Sequence, residues 1–363
     1  MPLRTVVGMM SGTSLDGIDI ALIRSNGAYT VECGPARTYP YAAEQRAIIR
    51  RSLGRIDAEP AAASAVTDAH IAALNRFFAE ERVDPAGVDM IGFHGQTTFH
   101  DPDAGRTVQI GEAQVLASAI GLPVVSDFRS ADVAAGGQGA PLAPLYHAAL
   151  AGALEKPVAV LNLGGVGNVT WIGAAAAGTP VEQLPMLAFD TGPANALIDD
   201  WVLGQTGQPF DDGGRLAAVG HVDEERVTRW LQHPYFAEQP PKSLDRDAFD
   251  ASVADLSVED GVATLVEFTV RSVAMAARWL PSAPVQWIVT GGGRRNPEIM
   301  KRLADSLGCP VRPVEAVGWD GDALEAQAFG WLALRNVDGA PTSVPGTTGA
   351  PRPITGGAMN KPV

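Results

Sequence analysis

Short apolar runs and polar, glycine-containing turns alternate at the start of the chain. Val6-Val7-Gly8-Met9-Met10 and Ile18-Asp19-Ile20-Ala21-Leu22-Ile23 have the length and β-branched content of buried strands. Between them lies Ser11-Gly12-Thr13-Ser14-Leu15-Asp16-Gly17, so the pattern predicts strand, polar turn, strand. The same device recurs at Val158 to Trp171, where Gly164-Gly165 separates two apolar runs. Two such hairpins, each opening one half of the chain, predict two similar α/β domains facing a cleft.

The remaining pattern fills in around these hairpins. Tyr29 to Tyr39 reads as a third strand, and Ala42 to Leu53 and Pro60 to Arg82 as helices. In the second helix Val66, Ala69, Ala73 and Phe77 keep near-helical spacing. Val88 to Phe93 predicts a strand that ends before His94-Gly95-Gln96-Thr97. Thr107 to Ile110 and Pro123 to Phe128 predict further strands, with a helix over Glu112 to Ile120 between them. A glycine-rich link, Ala134 to Pro141, precedes helical residues that reach Leu154. In the second half, Met186 to Phe189 predicts a strand ending at Asp190, followed by a helix from Pro193 to about Leu203. Phe210 to Ser243 is polar and broken by prolines, as surface helices and a loop would be. A long helix over Val258 to Leu280 leads to a strand at Val285 to Val289, then Thr290-Gly291-Gly292-Gly293. Helices follow over Pro297 to Leu307 and Ala323 to Arg335. From Val337 the chain is rich in Pro, Gly and Thr and is expected to be irregular.

Composition narrows the function classes. A chain of 363 residues exceeds one typical core, in keeping with two domains. The expected split is 1–133 and 134–336, with the tail 337–363 packing back on the first domain. A formal net charge of −14 offers no basic field to offset phosphate repulsion, which argues against nucleic-acid and anionic-membrane partners. Cys33 and Cys309 lie in unrelated segments and suggest neither a disulfide framework nor a zinc site. No apolar run reaches membrane-spanning length, and the expected location is the cytoplasm.

Several clusters have the residue types that chemistry needs. In the first turn, Gly12 and Gly17 let backbone approach a ligand, and Ser11, Thr13 and Ser14 add donors. Asp16 and Asp19 are suited to a hydrated metal that accompanies a phosphate. A plain Asp-Gly hairpin is the alternative, although a two-residue turn needs fewer residues. Gly291 to Gly293, between a strand and a helix, fit either nucleotide approach or an ordinary turn. Asp190 is expected at a strand end, with Gly192 as N-cap and Pro193 at the first helical position, which frees the carboxylate for general-base work. His94, Gln96 and Thr97 place three hydrogen-bonding groups within four residues, a pattern that fits carbohydrate hydroxyls, although a lone His is commonly structural. Arg129 suits either a substrate carboxylate or an ion pair with Asp127 or Asp132. Asp322-Ala323-Leu324-Glu325 has capping-box spacing, and spacing alone favours Glu325 as a cap. No Walker run and no Gly-x-Ser-x-Gly elbow is present.

Taken together, the chain resembles the anhydro-N-acetylmuramic acid kinases of the actin-like ATPase and hexokinase superfamily. The matching stretches are Gly8 to Asp19, His94 to Thr97, Asp127-Phe128-Arg129, Asp132 to Leu142, Asn162 to Gly165, Asp190 to Pro193, Pro240 to Ser243, Gly291 to Gly293 with Asn296, Gly318 to Phe329, and Thr347 to Ala350. The resemblance implies two actin-like (ribonuclease H-like) domains around a central nucleotide and substrate cleft. It implies ATP with Mg2+, and 1,6-anhydro-N-acetylmuramic acid as the substrate, opened by water at C1 and phosphorylated on O6 during peptidoglycan recycling. In family terms Gly12, Thr13, Ser14, Leu15, Asp16, Gly17, Ile18 and Asp19 bind ATP phosphates, with Gly164, Gly165, Gly291, Gly292 and Gly293 also at the nucleotide and Asp16 at the metal. Asp190 is the general base on water, while His94, Gln96, Thr97, Arg129 and Glu325 lie at the sugar. For Glu325 this reverses the reading from spacing.

The chain departs from the family's pattern at three places. Ala194 stands where Gly is usual, Ser243-Leu244-Asp245-Arg246-Asp247 replaces Ser-Thr-Gly-Arg-Glu, and Thr98-Phe99-His100 replaces a more basic run. The alternatives are another sugar or carboxylate kinase of the superfamily, or a non-catalytic nucleotide-dependent binding protein. The sequence leaves the oligomeric state open, a homodimer included.

Overall fold

The computed structural model describes residues 2–244 and 248–363. Asp245, Arg246 and Asp247, part of one departure noted above, lie outside the described residues. By packing, the chain divides into two compact units. The first holds residues 1–153, 178–183 and 322–363, and the second holds 154–177 and 184–321. Segments 134–153 and 322–336, expected in the second domain, therefore pack in the first unit.

The first unit opens with β1 (Arg4–Ser11), β2 (Ile18–Ser25) and β3 (Val31–Tyr39), an antiparallel meander. Helices α1 (Ala43–Arg50) and α2 (Pro60–Glu81) carry the chain across to β4 (Met90–Asp101), which runs parallel to β1. Parallel pairing requires such a crossover. Pro60 suits the first turn of α2, where its missing N–H has no intrahelical partner. The apolar face of α2, including Val66, Leu74 and Phe77, packs into the core with Val7, Met9 and Ile91. β5 (Arg106–Ile110) folds back on β4, α3 (Ala113–Ile120) follows, and β6 (Val124–Ser126) runs parallel to β4. Two short helices, α4 (Ser130–Ala134) and α5 (Pro144–Leu150), complete this part.

The second unit repeats the plan. β7 (Val158–Leu163), β8 (Val166–Ile172) and β9 (Met186–Pro193) form an antiparallel meander. Helices α6 (Asn195–Thr206), α7 (Arg215–Val219), α8 (Glu224–Trp230) and α9 (Val258–Ala277) follow. β10 (Gln286–Thr290), α10 (Pro297–Leu307) and β11 (Val311–Pro313) end it, with β7, β10 and β11 mutually parallel in sequence of pairing. The strand order β11-β10-β7-β8-β9 matches β6-β4-β1-β2-β3 in both order and direction. The duplication seen in the hairpins thus extends to whole sheets, as two actin-like units require.

The chain then returns to the first unit as α11 (Leu324–Val337), α12 (Pro345–Thr348) and β12 (Ala358–Asn360). The tail is not simply irregular, since β12 pairs antiparallel with β6. α11 lies directly on sheet backbone, and only glycine permits that. A Cβ at Gly8 would fall 1.7 Å from the Ala326 carbonyl oxygen, and one at Gly92 would fall 2.1 Å from that of Phe329.

Three expected boundaries move, and one expected surface segment is partly core. β4 does not stop at Phe93 but continues through His94 and Thr97 to Asp101, because β5 pairs with its far half. β6 ends at Ser126, since Asp127 adopts a left-handed φ of 56°. β9 runs on to Pro193, so Ala194 rather than Gly192 is the N-cap of α6, and Pro193 is not helical. Within Phe210 to Ser243, Tyr235 and Phe236 are buried in a small aromatic core with Phe249 and Phe268 rather than forming surface.

Candidate active site

In the first unit the β1–β2 turn is held from beneath. Tyr41 donates its hydroxyl to Ser11 Oγ at 2.7 Å, and Ser11 donates to Gln96 Oε1 at 2.6 Å. Ser11 and Gln96 are also paired in the β1–β4 register. Gln96 is fully buried and spends its carbonyl on the turn, so it is a support of the turn and not a group presented to sugar. Above these residues Gly12 is partly exposed, and Thr13, Ser14 and Asp16 are exposed. A Cβ on Gly12 would meet nothing closer than Ser14 Oγ at 3.7 Å, which leaves its surroundings open. Leu15 closes the turn with φ of 58°, its N–H bonded to the Gly12 carbonyl at 3.1 Å and its side chain buried. Gly17 is required by packing, since a Cβ would fall 2.7 Å from Thr38 Cγ2, and Ile18 is core.

Carboxylates gather beside this turn. Asp19 accepts from Thr38 Oγ1 at 2.6 Å. Burial pushes its carboxyl above the usual range, and the charges of Asp322 and Asp16 add to the rise. Asp16 is itself exposed, with Arg46 at 3.5 Å. No group of three or more metal-ligating side chains exists among the described residues.

His94 and Arg129 form a second cluster in the same unit. Arg129 donates from Nε to His94 Nε2 at 3.1 Å and from Nη1 to the Gly139 carbonyl at 2.7 Å. His94 is buried against Phe329 and gives its Nδ1–H to the Gly95 carbonyl at 2.9 Å. Burial, then the Arg129 charge, hold His94 well below the usual histidine range, so it is neutral and serves Arg129 as an acceptor. Burial brings Arg129 itself down to about 10, against the opposing pull of Glu325 and Asp132. The ion pair expected with Asp127 or Asp132 is not formed. Asp127 accepts from Ser130 instead, and Asp132 from the Gly139 amide, Ser343 and Thr348.

Glu325 stands in the first turn of α11, and it is not a cap. Ala323 is the N-cap, one residue later than the spacing suggests, and no side chain caps the helix. Glu325 is solvent-accessible, and its side chain makes no capping hydrogen bond. Its enclosed surroundings and the neighbouring Asp19 push its carboxyl up, while Arg129 pulls it down. Thr97 is half-buried beside the cluster, its Oγ1 accepting from Gln109 Nε2 at 3.2 Å.

In the second unit Asp190 lies within β9, opposite Asn168 on β8. Its backbone carbonyl accepts the Tyr235 hydroxyl, and its N–H donates to the Lys242 carbonyl at 3.1 Å. The Leu244 N–H donates to Oδ2 at 2.8 Å, and among the described residues nothing bonds Oδ1. Burial raises the carboxyl to about 7, and the Leu244 amide and Lys242 limit the rise. Lys242 is itself held in place, its Nζ bonded to the Tyr235 carbonyl at 2.7 Å and set 4.2 Å from that ring's centroid. Sequence reasoning read Pro240 to Ser243 as a loop motif but missed this clamp, whose only signal was an apolar-aromatic run, Tyr235-Phe236, inside a polar segment.

The glycines of the second unit divide into two groups. Gly164 and Gly165 accept the first amides of α6, with Asn195 N to Gly164 O at 2.9 Å and Ala194 N to Gly165 O at 3.1 Å. Gly291 and Gly293 are needed by close packing on β7, where a Cβ would fall 2.5 Å from the Leu163 carbonyl oxygen or 2.7 Å from Leu163 Cβ. Gly292 lines a cavity of about 360 Å³ with Asn195, Phe210 and Asn296, and a Cβ there would meet only Asn195 Nδ2, at 3.3 Å. Asn296 caps α10 through Glu298 N at 3.0 Å.

This carboxylate and cavity sit within a chain whose full length matches one family. A family model described as anhydro-N-acetylmuramic acid kinase matches residues 4–362. The chain belongs to the anhydro-N-acetylmuramic acid kinase family. It is 53% identical to the anhydro-N-acetylmuramic acid kinase of Paramagnetospirillum magneticum, over 98% of this chain and 99% of that one. The enzyme of the same name from Rhodospirillum rubrum is 54% identical, over 97% and 92% of the two chains. That from Rhizorhabdus wittichii is 50% identical over 98% of each. Among solved structures, component A of the Acidaminococcus fermentans (R)-2-hydroxyglutaryl-CoA dehydratase is 12% identical with a TM-score of 0.49, over 91% and 99% of the chains. Membership of the anhydro-N-acetylmuramic acid kinase family makes the chain a kinase, with ATP as phosphoryl donor. No described helix is long and apolar enough to cross a membrane.

Proposed function

We propose that the chain converts 1,6-anhydro-N-acetylmuramic acid, ATP and water to N-acetylmuramic acid 6-phosphate, ADP and a proton, as a step in peptidoglycan recycling. Water attacks C1 and the bond from C1 to the bridging oxygen breaks. That oxygen stays on C6 as O6 and attacks the γ-phosphorus, and ADP leaves. One deprotonated water therefore starts both events.

Asp190 carries this reading. A carboxylate that titrates near 7 is matched to removing a proton from water at neutral pH. The Leu244 amide fixes one oxygen and leaves Oδ1 for the water. Tyr235 and the Lys242 carbonyl hold the backbone on either side, so the carboxylate keeps its direction.

For the sugar, Arg129 supplies a half-buried guanidinium with no carboxylate bonded to it among the described residues, suited to the lactyl carboxylate of a muramic acid. Glu325 and Thr97 supply hydrogen-bonding groups for its hydroxyls and amide. His94 acts on the substrate through Arg129, by holding that guanidinium. For ATP, the open backbone at Gly12 with Thr13 and Ser14 of the first unit suits phosphates. Taken by itself, the second unit offers in the cavity beside Gly292 a place suited to a base and ribose. The residues present fit Mg2+, which keeps most of its water and needs one or two carboxylates. Asp16, with Asp19, would hold it; burial first, and then the charges of Asp322 and Asp16, raise Asp19, and a cation would relieve the part due to those charges. Bound there, Mg2+ would neutralise charge on the transferring phosphoryl group. Use of ATP supports a cytoplasmic location for the reaction.

The test is direct. Purified protein with ATP and 1,6-anhydro-N-acetylmuramic acid should yield ADP and the 6-phosphate in equal amounts. ADP without phosphorylated sugar, or no turnover, would contradict the proposal.

A further inference from the structure

The tail residues and the glycine-rich link have no part in the reaction described above, yet they meet at one buried carboxylate. Asp132, in α4, is 1% exposed. Its Oδ1 accepts the Gly139 N–H at 2.7 Å. Its Oδ2 accepts two hydroxyls from the C-terminal segment, Thr348 at 2.7 Å and Ser343. A further bond, Gln138 N to the Thr348 carbonyl at 2.6 Å, laces the segment to the same loop. Gly139 then faces the other way, and its carbonyl accepts Arg129 Nη1 at 2.7 Å. The loop can adopt this path only with glycine, since a Cβ on Gly137 would fall 2.2 Å from Asp132 Oδ1 and Gly139 has φ of 66°.

We infer that Ser343 and Thr348 are positioning residues for Arg129, acting through the Asp132 carboxylate and Gly139. The guanidinium has two anchors, His94 on Nε and Gly139 on Nη1, and these fix the plane in which it offers its remaining N–H groups. Bidentate recognition of a carboxylate depends on that plane. The first anchor is set by β4. The second sits in a loop without regular structure, which the Asp132 carboxylate with its two hydroxyl donors pins together with the bonds from Gln138 N to the Thr348 carbonyl and from Gly137 N to the Asp132 carbonyl. Removing a donor leaves a buried, charged acceptor short of a partner, which is costly enough to shift the loop. Arg129 would then swing, and the site would lose its grip on the anionic substrate while its nucleotide site was untouched.

The inference rests on the reading that Arg129 binds the sugar's carboxylate, so the experiment separates the two. Steady-state kinetics would be measured for Thr348→Val, Thr348→Ser, Ser343→Ala and Arg129→Gln, each with its melting temperature. The reading of Arg129 requires Arg129→Gln to raise KM for 1,6-anhydro-N-acetylmuramic acid, and if it does not, that reading and this inference both fall. If it does, Thr348→Val should raise KM for the sugar about fivefold or more, as loss of a hydrogen bond to a charged group can. KM for ATP should stay within about twofold, and Thr348→Ser should restore the sugar KM. Ser343→Ala, a smaller change at the same carboxylate, should act in the same direction and serves if Thr348→Val does not fold. A lowered melting temperature with both KM values unchanged, or with both raised alike, would reduce the tail to a structural brace and overturn the inference.

Discussion

His94 presents an unprotonated Nε2 to Arg129 at 3.1 Å, so the bond exists only while His94 is neutral. An ordinary histidine would lose that acceptor as pH falls through about 6.5. Here burial and the adjacent guanidinium hold His94 well below that range. Calorimetric affinity for the sugar, measured in Asp190→Asn so that the carboxyl raised to about 7 does not titrate in the same range, should therefore be level between pH 8 and pH 6. A loss of affinity centred near 6.5 would show that His94 titrates normally and that the contact is not kept.

The glycines of β1 and its turn make opposite predictions. Gly12→Val has open space around it and should leave the melting temperature nearly unchanged while abolishing ATP binding. Gly8→Ala would drive a methyl into the backbone of α11 and should destabilise the protein by several kcal/mol, on the order of an overpacked core. Thermal melts with nucleotide titrations separate the two, and ATP binding unchanged in Gly12→Val would remove the turn from the nucleotide site.

Glu325→Gln tests a residue that spacing assigns to a helix cap and the structure does not. Since Ala323 caps α11 without a side-chain bond, the variant should melt within about 1 °C of the parent. Turnover or sugar affinity should fall at least tenfold if the charge serves the substrate. Unchanged kinetics would exclude Glu325 from the site.

Much of this architecture was legible because buried strands next to glycine turns leave a strong local pattern. Both hairpins were readable from Val6 to Ile23 and from Val158 to Trp171. What failed to show was tertiary. Polar residues that satisfy one another inside the protein, such as Ser11 with Gln96 and His94 with Arg129, look in sequence like a binding cluster or a strand end. The return of α11 to the first unit depends on Gly8, Gly92 and Gly330 lying against one another, which no local spacing reveals. Gly192 and Pro193 have the form of a helix start, yet β8 pairs with both and keeps them in β9. The identity of Asp190 as the carboxylate of interest was available from sequence; the burial that raises it, and the Tyr235, Lys242 and Leu244 clamp that steadies it, were not.

The raised carboxyl of Asp190 also makes a stability prediction with a definite sign. Folded Asp190 keeps its proton up to about 7, while an unfolded aspartate loses it near 4. Between those values the folded state binds more protons, so this group's contribution to stability falls as pH rises. Asp190→Asn keeps the size without the charge. It should gain melting temperature relative to the parent at pH 8 and lose that gain at pH 4. The same variant should bind both substrates and turn over about a hundredfold more slowly or worse. A variant less stable than the parent at pH 8, or equally active, would contradict the assignment.

The central claim is that water, activated by Asp190, attacks carbon and not phosphorus. It is tested by running the wild-type reaction in water enriched in heavy oxygen and locating the label by mass spectrometry within the first turnovers, before the reducing end exchanges its own oxygen. The account predicts one labelled oxygen at C1 and none in the phosphate group, because the O6 that receives the phosphoryl group comes from the anhydro bridge. Label in the phosphate would mean that water attacks phosphorus, and the role given to Asp190 would be wrong.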